Sequence, residues 1–299
     1  MAVLNRELDD TLSINQFDKE GRLFIAFDYH GRYINYEDSS RHTSYQPDRW
    51  THTVWLFGNS ALVSPMMIDS DTIPSQLQLL LNQYGYGWRV VNKGITAYTA
   101  KQELAHLKET TIQPGDMVIF YDGVKEADTI NLSLSREFRK NNPVGWVCDQ
   151  LHELALSRFF CDDVNNTAFG SCEMPGKAAA DDYQQTITEA HDYAQSQGAA
   201  FYVMLQPHLY TRPLSTIERS LEAELILTNN AKRWGLLTCW SYIQAGVEQL
   251  RQHGIAAVDL THAVDWSRRQ TSVWYDMTHA TGKGNTLIAQ AIFNAMTTF

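Results

Sequence analysis

The sequence feature that most constrains the fold is a short apolar run, Val54–Phe57, which stops abruptly at Gly58. Four consecutive β-prone apolar residues predict a strand that is buried on both faces, as in a parallel sheet. Asn59 and Ser60 follow at once. Open α/β sheets bind their ligands at the carboxyl ends of their strands, which makes Ser60 a candidate site residue. The plainer interpretation is that Ser60 only caps a turn.

A polar stretch near the C-terminus strengthens the functional interpretation. Trp274–His279 reads Trp-Tyr-Asp-Met-Thr-His, with Asp276 three residues before His279 and an amphipathic helix just beyond. One short loop can therefore supply a general base together with the acid that orients it. Ser60, His279 and Asp276 are the expected members of a catalytic triad.

Four ordered blocks of the sequence resemble those of the SGNH (GDSL-type) hydrolase family. The blocks are Phe57-Gly58-Asn59-Ser60, Asn92-Lys93-Gly94, Tyr121-Asp122-Gly123-Val124-Lys125-Glu126 and Asp276-x-x-His279. The likeness extends from about Thr53 to the C-terminus, with an insertion inside it. It implies that Ser60 is the nucleophile, that His279 is the general base and that Asp276 orients the imidazole.

The resemblance also implies an oxyanion hole, for which the backbone N–H groups of Ser60 and Gly94 are the expected donors. The absence of a Cβ at Gly94 lets the backbone approach a substrate, although an ordinary turn glycine is an equally good interpretation. In the third block Lys125 stands where the family usually has an asparagine that donates to the oxyanion. Its ammonium either joins the hole or pairs with Asp122 or Glu126, which would leave the hole short of a donor.

Three further residues are expected to contact substrate. Asn59 stands where the family usually has an aspartate; it keeps a similar shape and one acceptor oxygen, so little loss of activity is expected. Gln206 and His208 follow the apolar run 201–205. An amide or an imidazole at a strand terminus on the catalytic edge can recognise a hydroxyl or a carbonyl group.

The alternation of apolar runs and amphipathic stretches predicts an α/β fold. We expect a three-layer α/β/α sandwich whose five-stranded sheet is mainly parallel, in the flavodoxin-like order that the resemblance implies. The predicted strands lie at 54–57, 89–92, 117–121, 201–205 and 256–259. The predicted helices carry the apolar positions of 73–84, 104–107, 147–154, 183–194, 217–225, 243–250 and 287–295, with Gly235 beyond the end of the fifth of them.

The chain is expected to divide into two parts. Residues 1–50 form a polar arm with a hairpin, Leu23–Tyr29 against Arg32–Tyr36, and residues 51–299 form the hydrolase-like domain. The pattern loosens at about 126–176, which is interpreted as an insertion that serves either as a lid or as surface elaboration. The aromatic and arginine residues of the arm either line a sugar-binding rim or pack on the edge of the domain.

The composition narrows the classes of partner. With 44% hydrophobic and 19% charged residues the chain can bury a core, and its formal charge of −10 argues against a nucleic-acid partner. No run is long enough to span a membrane, and neither a metal-ligand pattern nor a cofactor motif is present. We expect free thiols at the four cysteines, with a Cys161–Cys172 disulfide as the alternative in an exported protein. The compartment is left open.

These features lead to two functional hypotheses. The first is a serine-dependent ester hydrolase or O-acyltransferase that acts on acyl esters, with a small molecule or a glycan as its substrate. The second is an SGNH-like module that has lost catalysis and binds a glycan or a protein, with Lys125 in place of the oxyanion-hole asparagine as its support.

Overall fold

The structure is a computed structural model of the 299-residue chain. It describes residues 2–12, 14–17, 19, 23–130, 172–265 and 272–298. The strands are β1 (Asn15–Phe17), β2 (Leu23–Ile25), β3 (Tyr29–His30), β4 (Asn35–Glu37), β5 (Ser40–Arg41), β6 (His52–Gly58), β7 (Trp88–Asn92), β8 (Met117–Asp122), β9 (Ala200–Leu205) and β10 (Ala256–Asp259). The helices are α1 (Ala2–Leu12), α2 (Ser60–Val63), α3 (Ile73–Gln83), α4 (Ala100–Glu109), α5 (124–130), α6 (Glu173–Ser196), α7 (Thr216–Thr238), α8 (Trp240–Gln252) and α9 (Gly282–Thr298).

Five parallel strands form the centre of the fold. Their order is β10–β9–β8–β6–β7, so the first strand of the unit lies between the second and the third. This is the predicted flavodoxin-like order. All six residues of β8 are buried, because helices cover both faces of a sheet built from βαβ crossovers. The fold class is therefore confirmed.

The predicted number of strands is wrong. The sheet has eight strands, because β5, β4 and β3 of the N-terminal arm continue it in antiparallel fashion beyond β7. Within the sheet, the arm is paired with the parallel part at Arg41 of β5 and Asn92 of β7. The arm strands are only two or three residues long, too short for a period-2 pattern to reveal them.

Helices form a layer on each side of the sheet. On one side α3 packs against β7 and against α9. On the other side α6 packs between α4 and α8, which themselves contact the sheet. Helix α4 begins with a capping box, in which the Gln102 side chain accepts a hydrogen bond from the Thr99 backbone N–H at 3.0 Å.

Three local expectations need correction. The hairpin partners are shifted, because Tyr29–His30 pairs with Asn35–Tyr36 whereas Leu23–Ile25 pairs with β1. Helix α7 does not stop before Gly235 but continues to Thr238, so this buried glycine lies inside the helix. The predicted helix over 147–154 and most of the expected insertion lie outside the described residues.

A disulfide joins Cys172 to Cys239, so the expectation of free thiols is wrong for these two residues. It links the start of α6 to the corner between α7 and α8. The two cysteines are 67 positions apart, and spacing alone could not pair them. Cys148 and Cys161 lie outside the described residues.

Candidate active site

Ser60 lies at the carboxyl end of β6, as the first residue of the short helix α2. Asn59 caps this helix, with its Oδ1 accepting a hydrogen bond from the Ala61 N–H at 3.0 Å. Gly58 precedes the cap, and a Cβ there would come within 2.8 Å of the Tyr121 carbonyl oxygen. The close passage of β6 beside β8 therefore requires glycine, and it places Ser60 at the edge of the sheet.

The loop that carries Asp276 and His279 is held by its own hydrogen bonds. The Oδ1 atom of Asp276 accepts from the backbone N–H groups of Thr278 and His279, both at 2.8 Å. The Tyr275 N–H donates to the His279 carbonyl oxygen at 2.8 Å. An aspartate that bonds the backbone two and three residues ahead is a common turn-former, which explains why the two side chains lie together.

The structure brings Ser60, His279 and Asp276 into one hydrogen-bonded chain. The distance from Ser60 Oγ to His279 Nε2 is 2.8 Å, and that from His279 Nδ1 to Asp276 Oδ2 is 2.6 Å. Burial raises the pKa of Asp276, but the hydrogen bonds and charge of His279 and the loop N–H groups outweigh it and keep that pKa below its usual value. An ionised Asp276 requires a proton on Nδ1, so Nε2 is free to accept the proton of Ser60.

The expected oxyanion donors are arranged differently from the triad. The Gly94 N–H donates to Asn92 Oδ1 at 3.0 Å. Asn92 is fully buried, and its Nδ2 donates to the Leu62 carbonyl oxygen at 3.3 Å. In this state the N–H of Gly94 is therefore occupied by its own chain. Ser60 N makes no hydrogen bond within the part of the chain that the structure describes.

Lys125, the third expected member of the oxyanion hole, is engaged in an ion pair on its own helix. Its Nζ lies 3.0 Å from Asp128 Oδ2, three residues further along α5. Both side chains are largely buried, with 23% and 16% of their surfaces exposed. The partner is thus Asp128, not the Asp122 or Glu126 named from the sequence.

Asp122 and Glu126 have other partners. Asp122 Oδ1 accepts a hydrogen bond from the Tyr183 hydroxyl. Glu126 accepts from the backbone N–H groups of Ala100 at 2.7 Å and of Gly123 at 3.0 Å. The two carboxylates therefore tie the third block to α4 and α6, and they do not neutralise Lys125.

Glu103 completes a buried acidic cluster with Asp122 and Glu126. Neither oxygen of Glu103 has a hydrogen-bond partner among the described residues. Burial, reinforced by the charges of Asp122 and Glu126, raises the pKa of Glu103 well above its ordinary value. Burial likewise raises the pKa values of Asp122 and Glu126.

The three expected substrate contacts lie in the interior. Asn59 Nδ2 donates to Gln206 Oε1 at 2.8 Å, and Gln206 is completely buried. His208 is 1% exposed, and its Nδ1 accepts from the Tyr210 N–H at 3.2 Å. Burial and then the charge of Lys232 lower the pKa of His208 to about 3, so its imidazole is neutral. The structure brings Asn59 and Gln206 together directly beside Ser60.

The chain resembles solved structures in its fold, whereas its sequence matches no known family. No family profile and no curated protein matches the sequence. A solved member of the lipolytic protein G-D-S-L family from Veillonella parvula DSM 2008 is 9% identical, with a TM-score of 0.50 over 83% of this chain and 100% of that one. A catalytic mutant of an acetylxylan esterase from Geobacillus stearothermophilus is 15% identical, with a TM-score of 0.49 over 83% and 95%. A psychrotrophic esterase from Pseudoalteromonas sp. is 13% identical, with a TM-score of 0.44 over 83% and 98%.

This chain has the SGNH hydrolase fold. The likeness to the Veillonella structure extends over that entire protein, at a TM-score of 0.50. At 9% identity it establishes the fold alone.

One residue that holds the edge of this SGNH hydrolase fold was missed from the sequence. Arg41, in the arm strand β5, is 1% exposed, and its Nε pairs with Asp69 Oδ1 at 3.0 Å. Its Nη atoms donate to the carbonyl oxygens of Val63, Ser64 and Met67 at 2.6–3.0 Å. Arg41 thereby fixes the loop that follows Ser60. A single arginine in a polar segment carries no sequence signal of such a role.

Two more side chains brace the catalytic loops. Asn285 Nδ2, from α9, donates to the Asp71 carbonyl oxygen at 2.8 Å and to Ser64 Oγ at 3.2 Å. Lys232 Nζ, from α7, donates to Thr278 Oγ1 at 2.9 Å. Both contacts span more than forty residues of sequence, so no local pattern predicts them.

Neither a metal cluster nor a membrane helix is found in the described part of the chain. No group of three or more histidine, cysteine, aspartate or glutamate side chains there could hold a metal ion. None of the helices described is long and apolar enough to cross a bilayer.

Proposed function

We propose that this protein cleaves carboxylic esters through an acyl-enzyme formed on Ser60. The observation that carries the proposal is the continuous hydrogen-bonded chain from Ser60 Oγ through His279 to Asp276, with separations of 2.8 and 2.6 Å. A serine is a weak nucleophile unless a base takes its proton, and this arrangement provides the base in the required tautomer. The SGNH hydrolase fold is consistent with it.

The first half of the reaction forms the acyl-enzyme. Ser60 Oγ attacks the carbonyl carbon of the ester while His279 Nε2 takes the hydroxyl proton. The negative charge of Asp276 stabilises the imidazolium that results. When the tetrahedral intermediate collapses, the bond to the alcohol oxygen breaks and His279 returns the proton to that oxygen. The alcohol leaves, and the acyl group remains on Ser60.

The second half releases the acyl group. A water molecule gives a proton to His279 and attacks the acyl carbon. The bond between that carbon and Ser60 Oγ then breaks, and His279 returns the proton to Oγ, which regenerates Ser60 and frees the acid. A sugar hydroxyl in place of water would give O-acyl transfer by the same steps. The oxyanion is bound by the Ser60 N–H and, once its bond to Asn92 Oδ1 is exchanged for one to substrate, by the Gly94 N–H.

A carbohydrate ester is the substrate class that we favour. Tyr275 is next to Asp276 in the catalytic loop, and 52% of its surface is exposed although it is a large aromatic residue. Tyrosine rings exposed beside a site can stack on the apolar face of a sugar.

A binding module without turnover is the competing proposal. It is favoured by the state of the oxyanion donors, because Lys125 is paired with Asp128 and the Gly94 N–H is bonded to Asn92. A chain with a formed triad and no usable oxyanion hole could bind a glycan or a protein without transforming it.

A serine-directed phosphonate distinguishes the two. We expect the wild-type protein to gain the mass of one phosphonyl group, mapped to Ser60 by peptide analysis, and to hydrolyse p-nitrophenyl acetate. Ser60→Ala should lose both properties, whereas the control Ser70→Ala, in the loop beyond α2, should keep both. A folded wild-type protein that is neither labelled nor active would overturn the esterase proposal and favour the binding module.

A titration with sugar acceptors distinguishes hydrolysis from transfer. If acceptor hydroxyls reach the acyl-enzyme, acetylated sugar should accumulate as the acceptor concentration rises, and release of free acetate should fall. Exclusive release of acetate at every acceptor concentration would eliminate the transferase branch.

A further inference from the structure

The two amides beside the nucleophile form a buried pair that bridges the sheet. Asn59 follows β6 and Gln206 follows β9, and β8 lies between these two strands. Their side chains meet above it, with Asn59 Nδ2 donating to Gln206 Oε1 at 2.8 Å. Asn59 is 4% exposed and Gln206 is 0% exposed, so water does not compete for this bond.

The hydrogen bonds determine the orientation of both amides. Asn59 Oδ1 accepts from the Ala61 N–H, which leaves Asn59 Nδ2 to face Gln206. Gln206 must therefore present its oxygen. The backbone of Gln206 is itself held, because its N–H donates to the Asp122 carbonyl oxygen at 2.9 Å. Gln206 Nε2 has no hydrogen-bond partner in the described residues.

The position of Asn59 connects this pair to the chemistry. Its side chain caps α2, whose first residue is Ser60, and its backbone leads directly into the nucleophile. The hydrogen bond from Asn59 Nδ2 to Gln206 Oε1 restricts rotation of the Asn59 side chain, which caps α2. Nucleophiles displaced by about 1 Å can lose about two orders of magnitude in rate, so a fixed cap has kinetic consequences.

We propose that Gln206 is a positioning residue for the reaction at Ser60, acting through Asn59. This inference rests on the esterase function proposed above. The requirement is that the side chain at one of positions 59 and 206 presents a donor and the other presents an acceptor, because both are buried. Gln206 satisfies this requirement with its oxygen. Its Nε2 has no hydrogen-bond partner among the described residues, so turning the amide around would break no other bond there.

A set of charge variants tests this requirement. Asn59→Asp presents an acceptor, which the turned amide of Gln206 can satisfy, and Gln206→Glu presents an acceptor to Asn59 Nδ2. We expect each to lower kcat on p-nitrophenyl acetate by about threefold. The double variant Asn59→Asp/Gln206→Glu sets two acceptors against each other. At pH 8 the fold-reduction in its kcat should be at least ten times the product of the fold-reductions measured for the two single variants.

The pH dependence gives a readout that general damage to the structure would not produce. Two facing carboxyl groups can share one proton, so the ratio of double-variant to wild-type kcat should rise as the pH falls from 8 to 5. For each single variant this ratio should change much less over the same range. A general loss of stability would lower the ratio at every pH without this recovery.

An apolar replacement supplies a second, independent measurement. Gln206→Met fills a similar volume but leaves Asn59 Nδ2 without an acceptor, so kcat should fall about ten- to a hundredfold while KM changes by less than threefold. Gln78→Met is the matched control, because Gln78 is also fully buried and its amide bonds α3 to β7. Its kcat, measured well below its melting temperature, should stay within twofold of the wild-type value.

The outcomes separate this inference from the proposed function. An active wild type whose double variant equals the product of the singles at every pH, or whose Gln206→Met variant keeps full kcat, overturns the inference alone. A wild type with neither turnover nor phosphonate labelling overturns the esterase function and the inference with it. If Gln206→Met fails to fold, the charge variants decide.

Discussion

The two halves of the candidate site differ in how completely they are assembled. The proton-transfer half, made of Ser60, His279 and Asp276, is connected by hydrogen bonds of 2.6–2.8 Å. In the oxyanion half, the Gly94 N–H bonds to Asn92 and Lys125 pairs with Asp128. For the proposed reaction, the first half is formed before substrate arrives. The second half would have to exchange the bond between Gly94 and Asn92 for a bond to substrate.

This difference shows what a triad can and cannot achieve by itself. A prepared base creates a nucleophile, but stabilising the developing negative charge is often the larger part of the rate enhancement. A chain with a formed Ser–His–Asp chain, in which two of the three expected oxyanion donors are occupied, should therefore react with strong acylating agents and turn over ordinary esters slowly. The experiments below separate the two halves, from the largest expected effect to the smallest.

Removing the side chain of Ser60 or of His279 should have the largest effect. Ser60→Ala and His279→Ala should each lower kcat/KM on p-nitrophenyl acetate by at least about four orders of magnitude, and the double variant should be little worse, since triad members act as a unit. Steady-state kinetics on purified, folded proteins measures this.

A second histidine–aspartate pair in the chain offers the control. His262 Nδ1 lies 2.9 Å from Asp265 Oδ2, also three residues apart, but 75% of its side chain is exposed. His262→Ala should keep full activity. Retained activity in Ser60→Ala would refute the triad assignment.

Replacing the orienting acid should have the next largest effect. Asp276→Asn keeps the shape, but an amide nitrogen facing His279 would hold the imidazole with its proton on Nε2, the wrong atom for accepting from Ser60. We expect kcat to fall by about two to four orders of magnitude with KM nearly unchanged. If kcat fell less than tenfold, Asp276 would have only a structural part in the loop.

The oxyanion half is tested at Lys125. Because its ammonium is paired with Asp128, Lys125→Ala should change kcat by no more than about threefold. Lys125→Asn, which introduces a neutral amide donor, should raise kcat by about tenfold if that amide reaches the oxyanion. Both variants are assayed on the same acetyl ester. A fall of a hundredfold or more in Lys125→Ala would mean that the ammonium itself serves as the donor.

The smallest expected effect is on the stability of the fold, and it concerns Glu103 in the buried acidic cluster next to the block that carries Lys125. Glu103 has a raised pKa in the folded protein, so its stabilising contribution is complete below its unfolded-state pKa and is lost as the pH rises through the folded value. Glu103→Gln removes this dependence. The melting temperature of the variant relative to wild type should therefore rise between pH 5 and pH 8 by several degrees, equivalent to about 1–3 kcal/mol.

Thermal unfolding at a series of pH values measures that difference. Glu109→Gln, at the end of the same helix, is the control and should show no such trend. A constant difference between Glu103→Gln and wild type across the range would mean that Glu103 carries the same charge in the folded and unfolded chains.

The local sequence was sufficient for the parallel core and for naming the three residues that the structure joins in one hydrogen-bonded chain. The core strands β6, β8 and β9 contain apolar runs of four to six residues, and Asp276 and His279 lie in one short loop, so short-range patterns contain much of the information. The strand count failed where the arm strands are two or three residues long and are held by partners across the chain. The partner of Lys125 was missed although it is only three residues away, because Asp122, Glu126 and Asp128 all lie close enough in sequence to pair with a lysine there.

The sequence by itself determined the strands of the parallel core, the position of a serine at a strand end and the loop that holds Asp276 and His279. These follow from hydrophobic periodicity and turn chemistry, which act over a few residues. Only the tertiary structure decided which groups are already occupied: Asn59 by Gln206, 147 positions away, and Cys172 by Cys239, 67 positions away. Polar side chains at such separations have many conceivable partners, and the packing of the sheet and its helices selects one of them by distance and by the exclusion of water.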